Sequence, residues 1–230
     1  MKLAIISGTS ISRSSVFENS GAESVNTPYG EVEYKRENGV LIVNRHGFRN
    51  PLPPHKTNYR AYVSALKELE VEAVCSLNSV GSLQETLVPG TLVSCGDYVS
   101  FAPMTFIDEK PSGFAPCVDN ALLPELQRLA QRPLEPDKVY AQTRGPRFET
   151  KAEVRILKVL GCDVVGMTFA NEADLLLESG ISVTSLCMVD NFAHGLVDEG
   201  LSMESFHEAV KTNQSIIDEL LKAIVTRFGK

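Results

Sequence analysis

Short apolar segments that alternate with amphipathic ones constrain the fold of this chain more than any other feature. Leu3–Ser7 is an apolar run stopped by a glycine turn, and comparable runs occur at 72–78, 91–99, 138–142, 163–168 and 181–189. Segments with helical character lie between or after them, at 59–69, 124–131, 150–160, 172–178 and 202–228. This order predicts an α/β fold, with a central mixed, mostly parallel sheet flanked by helices. A length of 230 residues fits one domain over 1–230.

The pair Asn38-Gly39 separates two short segments with strand character, at 31–35 and 40–44. Asparagine followed by glycine is typical of a tight turn between antiparallel strands. We therefore expect a hairpin in this part of the sheet.

The charge and the cysteines exclude several classes of function. The net charge is −7 and no basic run occurs, which argues against a nucleic-acid partner. The five cysteines are widely spaced and form no C-x-x-C pair, so the sequence offers no metal or redox motif. No apolar run is long enough for a signal peptide or a membrane span. We expect a cytoplasmic protein without a membrane partner.

Three polar motifs follow predicted strands and are suited to an oxyanion. Ser7-Gly8-Thr9-Ser10 combines a glycine with hydroxyls, Asn44-Arg45-His46-Gly47 combines a forked cation with a second donor, and Ser79-Val80-Gly81 allows close backbone approach. Each motif by itself also fits an ordinary polar turn. In such sheets the site lies at the strand ends, where the loops converge, and all three motifs lie at predicted strand ends.

Three further motifs are suited to a heterocycle and a sugar. The segment 143–150 presents Phe148 for stacking and Glu149 as an acceptor, although a glutamate there also suits a helix N-terminus. Gly166-Met167-Thr168 offers a thioether and a hydroxyl, although a methionine is more often part of the core. The pair Asp190-Asn191 closes the last predicted strand, where such residues often only form turns.

The order and spacing of these motifs resemble those of the trimeric purine nucleoside phosphorylase and methylthioadenosine phosphorylase family. The resemblance covers nearly the whole chain. Its most specific matches are Arg45-His46-Gly47, Asn58-Tyr59, Gly81-Ser82-Leu83 with Pro89-Gly90, the run Gly145-Pro146-Arg147-Phe148-Glu149-Thr150, and Gly166-Met167-Thr168. It implies a pentosyltransferase that cleaves the bond between a purine and a ribose-type sugar. Inorganic phosphate would be the co-substrate, with no metal and no organic cofactor.

The resemblance also assigns roles to individual residues. Phosphate would be bound by Thr9, Arg45, His46, the backbone of Ser79, and Thr168. The nucleoside would be bound by Tyr59, Phe148, Glu149, Met167 and Asn191, and by Phe114 reaching into the site of a neighbouring subunit. Catalysis would depend on Asn191, His46 and Glu149. The family forms trimers, so a homotrimer or a dimer of trimers is expected.

The residues at the base predict 6-oxopurine specificity. A 6-oxopurine carries a proton on N1, which an ionised Glu149 can accept, whereas adenine presents a lone pair there. In the family, glutamate with asparagine accompanies hypoxanthine and guanine nucleosides, and a hydroxyl residue with aspartate accompanies adenine. This chain has Glu149 and Asn191. Asp190, one residue earlier, would place an acid at N7 if the register were shifted by one.

The start of the last helix bears on the sugar. The 6-oxopurine branch usually has a histidine near the 5′-hydroxyl, and the matching residue here is Met203, whose thioether suits a 5′-methylthio group. His207, one turn later on the same face, is a second candidate, although a solvated helix histidine is its ordinary interpretation. Methylthioinosine therefore stands beside inosine and guanosine as a substrate.

Three alternatives remain open from the sequence. The first is a methylthioadenosine phosphorylase, which would release adenine. The second is a non-catalytic nucleoside-binding protein with the same fold, because fold alone does not prove activity. The third is hydrolysis by water, which would leave Arg45 and His46 without a task.

Overall fold

The computed structural model describes residues 1–110, 113–198 and 200–229. The strands are β1 Leu3–Ser7, β2 Ala22–Thr27, β3 Gly30–Glu37, β4 Val40–Asn44, β5 Ala73–Ser82, β6 Leu92–Val99, β7 Leu134–Gln142, β8 Val164–Gly166 and β9 Ser182–Phe192. The helices are α1 Thr9–Ser12, α2 Tyr59–Glu68, α3 Leu123–Leu129, α4 Lys151–Val159, α5 Phe169–Glu178 and α6 Met203–Phe228. Helices flank a mixed sheet, as the sequence predicted.

The sheet is partly closed on itself. Its strand order is β2-β3-β4-β1-β5-β8-β7-β6-β9, and β9 also pairs with β5. Strands β5, β8, β7, β6 and β9 therefore form a closed ring, and β1, β4, β3 and β2 extend it on one side. Among the described strands five pairings are parallel and four are antiparallel.

The predicted hairpin is confirmed. Strands β3 and β4 pair antiparallel, from Lys35 opposite Ile42 to Glu37 opposite Val40. The two residues between them, Asn38 and Gly39, have φ values of 45° and 82°. Positive φ at both positions is the conformation of the tight turn that matches the strand twist.

The ends of several elements differ from the sequence prediction. Strand β9 extends three residues further than predicted, to Phe192, and β7 begins at Leu134 rather than at 138. Helix α5 begins at Phe169 rather than at 172. Strand β2, which the sequence did not predict, pairs with β3 and has exposed side chains along much of its length. Its polar sequence carries little apolar alternation, which is the signal that strand prediction needs.

Two apolar layers cover the two faces of the sheet. Alternate residues of β1 point to opposite layers because side chains alternate along a strand. Ile6 packs in the layer that contains Leu66 of α2 and Leu176 of α5. Ile5 packs in the layer that contains Leu126 of α3 together with residues of α6. Each such buried aliphatic side chain stabilises the fold by roughly 1.5–3 kcal/mol.

The last helix is fixed at its start as the sequence predicted. Ser202 accepts a hydrogen bond from the backbone N–H of Ser205, and the Ser205 hydroxyl returns toward the Ser202 backbone, which forms a reciprocal cap. Within the described ranges, no helix combines the length and the apolar character needed to cross a membrane.

Candidate active site

A cavity of about 120 Å³ lies where the ends of several strands meet. It brings together residues that the sequence places up to 199 positions apart, from Ser7 to Phe206. Of the predicted site residues, its lining contains Thr9, Arg45, His46, Ser79, Phe148, Glu149, Met167, Thr168 and Asn191. The oxyanion-type motifs and the purine-type motifs therefore face one shared space.

The turn after β1 approaches the cavity at Gly8. A Cβ atom on this residue would lie 2.7 Å from both Cδ2 and Nε2 of His46 and 3.3 Å from Nη1 of Arg45. These distances are too short for any side chain. Only glycine allows the backbone of this turn to lie against the two candidate phosphate ligands.

Arg45 is buried, and its guanidinium is held by Glu172. Its Nε donates to Oε1 of Glu172 at 2.6 Å and its Nη2 donates to Oε2 at 3.2 Å. Its Nη1 donates to the carbonyl of Leu77 at 3.0 Å. Burial is the largest single influence on the pKa of Arg45 and acts to lower it. The charge of Glu172, its hydrogen bond and the neighbouring Tyr62 and Tyr59 together outweigh burial, so the pKa is raised and the residue stays cationic.

This arrangement corrects the sequence interpretation of Arg45. The fork was expected to hold an oxyanion, but it holds the Glu172 carboxylate instead, which matches its geometry equally well. Nη2 of Arg45 also donates to the carbonyl of Ile6 at 3.4 Å, so four of the five N–H groups of the guanidinium have partners, and the fifth is on Nη1, beside Gly8. Arg45 therefore offers an anion one fixed donor and a positive charge.

His46 is neutral at physiological pH. Burial, and after it the charge of Arg45, lower the pKa of His46 to about 4. Its ring lines the cavity, and its Nδ1 is buried without a hydrogen-bond partner in the described structure. A neutral imidazole carries one N–H donor, so His46 can give an oxyanion one hydrogen bond without a second full charge.

Thr168 is anchored at the start of α5. Its backbone N–H donates to the hydroxyl of Tyr140 at 3.1 Å, and its own hydroxyl donates to Oδ1 of Asn78 at 3.0 Å. Both partners are buried, on β7 and β5, the two strands that flank β8. The Thr168 side chain is thereby fixed at the edge of the cavity, with its oxygen lone pairs and the helix N-terminus nearby.

The loop before α4 presents Phe148 and Glu149. Thr150 caps the helix with Glu153, and Arg147 binds both carboxylate oxygens of Glu153 at 2.8 Å. This capping box fixes the backbone that carries the two site residues. Glu149 is 7% exposed, and its Oε1 accepts a hydrogen bond from the hydroxyl of Thr143 at 2.7 Å.

The register of β9 decides how Asp190 and Asn191 are used. Val80 of β5 lies opposite Val189, but the next residue, Gly81, lies opposite Asn191, so Asp190 occupies a bulge. Asn191 lines the cavity, and its Nδ2 donates to the carbonyl of Phe192 at 2.8 Å. Asp190 is not part of the lining of the cavity.

Asp190 is bound by two buried polar side chains instead. Its carboxylate accepts hydrogen bonds from the hydroxyl of Ser79 and from Nδ2 of Asn213, the latter at 2.8 Å. Burial raises the pKa of Asp190 above its ordinary value, although both hydrogen bonds act against this shift. The residue links α6 to β5 through these two contacts.

A second cavity of about 600 Å³ adjoins the first. The two share Pro54, Glu149 and Met167 as walls. Tyr59, predicted to line the ribose, lies in this larger cavity, and its hydroxyl donates to the carbonyl of Met167 at 3.1 Å. Burial raises the pKa of Tyr59 to about 12, so it remains a neutral donor.

Three other predicted ligand residues do not line either cavity in the single chain. Phe114 is 41% exposed, and Met203 is 49% exposed at the first turn of α6. His207 is exposed, and its Nδ1 lies 3.3 Å from Nη2 of Arg13. Phe206, between them on α6, is the residue of this turn that reaches the smaller cavity, where its ring meets that of Phe148 edge to face at 6.0 Å.

Sequence reasoning missed Glu172, Phe206 and Thr143. Glu172 carried a signal, because a carboxylate within a helix of largely buried residues needs a partner. Phe206 lies three residues after Met203 and therefore shares a helix face with it. Thr143 was within a noted motif, but only the fold shows that its hydroxyl meets Glu149.

The sequence and the fold were compared with those of known proteins. A family model described as the phosphorylase superfamily matches residues 2–226. A probable S-methyl-5′-thioinosine phosphorylase of Methanocaldococcus jannaschii is 37% identical, over 99% of this chain and 94% of that protein. A 6-oxopurine nucleoside phosphorylase of Pyrococcus furiosus is 34% identical, over 97% of this chain and 92% of that protein.

Solved structures show the same architecture. A mutant adenosine/methylthioadenosine phosphorylase from Schistosoma mansoni, in complex with methylthioadenosine, superimposes with a TM-score of 0.82 at 25% identity. The match covers 100% of this chain and 92% of the other. The methylthioadenosine phosphorylase from the same organism, in complex with adenine, gives a TM-score of 0.80 at 26% identity.

Proposed function

Because this chain belongs to the phosphorylase superfamily, we propose that it is a purine nucleoside phosphorylase that acts on 6-oxopurine nucleosides. It would use inorganic phosphate to convert inosine or guanosine into the free base and ribose 1-phosphate, or 5′-methylthioinosine into hypoxanthine and 5-methylthioribose 1-phosphate. The observation that carries the proposal is the shared lining of one cavity by Arg45 and His46 with Glu149 and Asn191. Relatives named for these reactions match nearly the full length of the chain.

The phosphate would lie against the turn at Gly8. One Nη1–H of Arg45 and the N–H of neutral His46 supply two donors there, and Thr9, the Ser79 backbone and Thr168 lie around the same end of the cavity. A single buried cation with neutral donors can hold phosphate without an excess of positive charge. This suits an enzyme with a net charge of −7.

The purine would lie between Phe148 and the strand ends. Glu149 would accept the N1–H of a 6-oxopurine, and the amide of Asn191 would serve N7 and O6. A phosphate oxygen attacks C1′ as the bond from C1′ to N9 breaks, and the bonding electrons move into the purine. The protein's contribution would be to position the phosphate and to stabilise the charge that develops on the base.

The position of Asp190 favours 6-oxopurines over adenine. A one-residue shift would have placed a carboxylate at N7, as expected for an adenine-directed enzyme. Asp190 is instead held by Ser79 and Asn213, and Asn191 occupies the lining of the cavity. Methylthioadenosine is therefore the second candidate substrate, supported by the fold neighbours rather than by these side chains.

The turn of α6 at the cavity favours an apolar 5′ group. Phe206 reaches the cavity, whereas the side chain of His207 lies beside Arg13. An aromatic wall is better suited to a methylthio group than to a hydroxyl, which would lose its hydrogen bonds on burial. We therefore place 5′-methylthioinosine ahead of inosine within the proposed class.

We further propose that the chain acts as a homotrimer or a dimer of trimers. Helix α4 exposes Ile156, Val159 and Leu160, and Phe101 is 75% exposed beside the larger cavity. Apolar side chains grouped in this way commonly mark protein contacts. The half-exposed Phe114, which lines neither cavity of its own chain, would then reach the site of a neighbour.

A substrate panel with and without phosphate tests the function. Inosine, guanosine, 5′-methylthioinosine and 5′-methylthioadenosine are each incubated with the protein, and the released base is identified by chromatography. Release of hypoxanthine or guanine that requires phosphate is the expected result. Release of adenine alone would assign the second candidate, release without phosphate would mean hydrolysis, and binding without release would mean a non-catalytic protein.

A further inference from the structure

The hydroxyl of Thr143 holds one oxygen of the Glu149 carboxylate. The Oγ1–Oε1 distance is 2.7 Å, which is a strong hydrogen bond. Within the described part of the chain, no other donor contacts this carboxylate. Glu149 is 7% exposed, so water does not readily replace Thr143 as its partner.

The backbone of Thr143 is fixed by a separate contact. It follows the end of β7, and its N–H donates to the carbonyl of Gly166 at 2.9 Å. That carbonyl lies 3.4 Å from the Thr143 hydroxyl, far longer than the contact with Glu149. A hydroxyl has one proton to give, so the proton goes to Glu149.

The two oxygens of Glu149 then have different tasks. Thr143 lines the larger cavity and not the smaller one, whereas Glu149 lines both. The hydrogen bond from Thr143 engages Oε1, and no described residue donates to Oε2. The other oxygen, Oε2, is the one available to a base in the smaller cavity.

We propose that Thr143 is a positioning residue that makes Glu149 select bases with a proton on N1. This inference rests on the proposed function and adds a residue to its base specificity. A hydrogen bond donated to one oxygen fixes the orientation of the carboxylate, so Thr143 holds Glu149 with Oε2 free to accept. An acceptor binds the N1–H of a 6-oxopurine and repels the N1 lone pair of adenine.

The test compares Thr143→Val with Thr143→Ser. Valine keeps the shape and removes the donor, while serine keeps the donor. The readouts are kcat/KM for inosine and for adenosine, and the KM for phosphate. We expect Thr143→Val to lower the inosine-to-adenosine ratio about tenfold, as for a lost hydrogen bond to a charged group, without changing the KM for phosphate. Thr143→Ser should restore the ratio.

Thr105→Val is the matched control. Its hydroxyl donates to Glu178 at the same distance of 2.7 Å, and neither residue lines a cavity. It should leave the ratio unchanged.

An unchanged ratio in Thr143→Val, or equal losses with both nucleosides, would overturn the role of Thr143 and leave the proposed function intact. A wild-type protein that releases no base from inosine, guanosine or 5′-methylthioinosine in the presence of phosphate would overturn both.

Discussion

Arg45 and Glu172 form a buried pair in which two nitrogens of one side chain meet the two oxygens of the other. The distances are 2.6 Å from Nε to Oε1 and 3.2 Å from Nη2 to Oε2, and Glu172 is fully buried. Tyr62 donates to Oε1 of Glu172 at 2.8 Å, and the hydroxyl of Ser76 donates to Oε2. The carboxylate is thereby satisfied on both oxygens, and it leaves Arg45 one orientation toward the cavity.

Replacing Arg45 with lysine should weaken phosphate binding although the charge is kept. An ammonium cannot bind Glu172 through two parallel bonds and still place a donor beside Gly8. We expect the KM for phosphate to rise by about tenfold or more, with a smaller effect on the KM for the nucleoside, in steady-state assays. Arg49→Lys is the control, because the side chain of Arg49 is 76% exposed and pairs with Glu33 at the surface. Equal effects of both variants would contradict this role of Arg45.

Gly8→Ala should displace His46. The added methyl would lie 2.7 Å from two atoms of the imidazole, so the ring or the turn has to move. The expected result is a rise in the KM for phosphate and a loss of kcat, because 1 Å of misplacement costs about a hundredfold in a positioned reaction. Gly21→Ala serves as the control, since nothing lies within 4 Å of its added methyl. Normal kinetics of Gly8→Ala would show that this turn does not approach the phosphate.

The stability of the protein should fall in mild acid because of His46. Its pKa is about 4 in the folded protein and about 6.5 when unfolded, so the unfolded chain binds more protons between these values. The free energy of unfolding therefore decreases as the pH falls from 6.5 to 4, and His46 accounts for about 3 kcal/mol of the decrease. Denaturant titrations at several pH values measure it. His46→Asn should remove this contribution to the pH dependence of the unfolding free energy. His207→Asn, which replaces an exposed histidine, should leave the pH dependence unchanged.

Exchanging the two base-side residues should change the preferred base. The double variant Glu149→Ser with Asn191→Asp replaces an acceptor for N1–H by a hydroxyl and places an acid at N7. We expect kcat/KM for 6-oxopurine nucleosides to fall about a hundredfold or more, and the preference to move toward adenine nucleosides. Asp190→Asn should keep the preference for 6-oxopurines, since Asp190 faces Ser79 and Asn213. A preference for 6-oxopurines that persists in the double variant would refute this explanation of specificity.

A charge on the exposed face of α4 should dissociate the oligomer. Val159 is 87% exposed, and Val159→Glu would bury an unpaired carboxylate in the proposed contact. Light scattering should show three or six times the chain mass for the wild-type protein and a smaller species for the variant. Val88→Glu changes a half-exposed valine on a loop away from α4 and should leave the mass of the oligomer unchanged. A monomeric wild-type protein would end the proposal.

Much of the fold was readable from local patterns. The apolar run of β1 predicted its strand, because a strand buried on both faces needs apolar residues throughout. The pair Asn38-Gly39 predicted its turn, because a positive φ at both positions favours these two residue types. Ser202 marked the start of α6, because a serine hydroxyl can accept a hydrogen bond from a free N–H of the first helical turn. The polar strand β2 and the early start of α5 were missed because pairing and packing, rather than local pattern, create them.

The residue types at the candidate site were also determined by the sequence: a glycine turn, an arginine beside a histidine, and a carboxylate and an amide at strand ends. Tertiary structure alone decided how they are used. In the folded chain the guanidinium of Arg45 binds Glu172, and the carboxylate of Asp190, at a bulge, binds Asn213. The hydroxyl of Thr143 donates to Glu149. The physical reason is that a hydrogen bond requires its donor and acceptor atoms to be placed to within a few tenths of an ångström and at a suitable angle. That placement comes from contacts between segments far apart in the chain, which no local pattern contains.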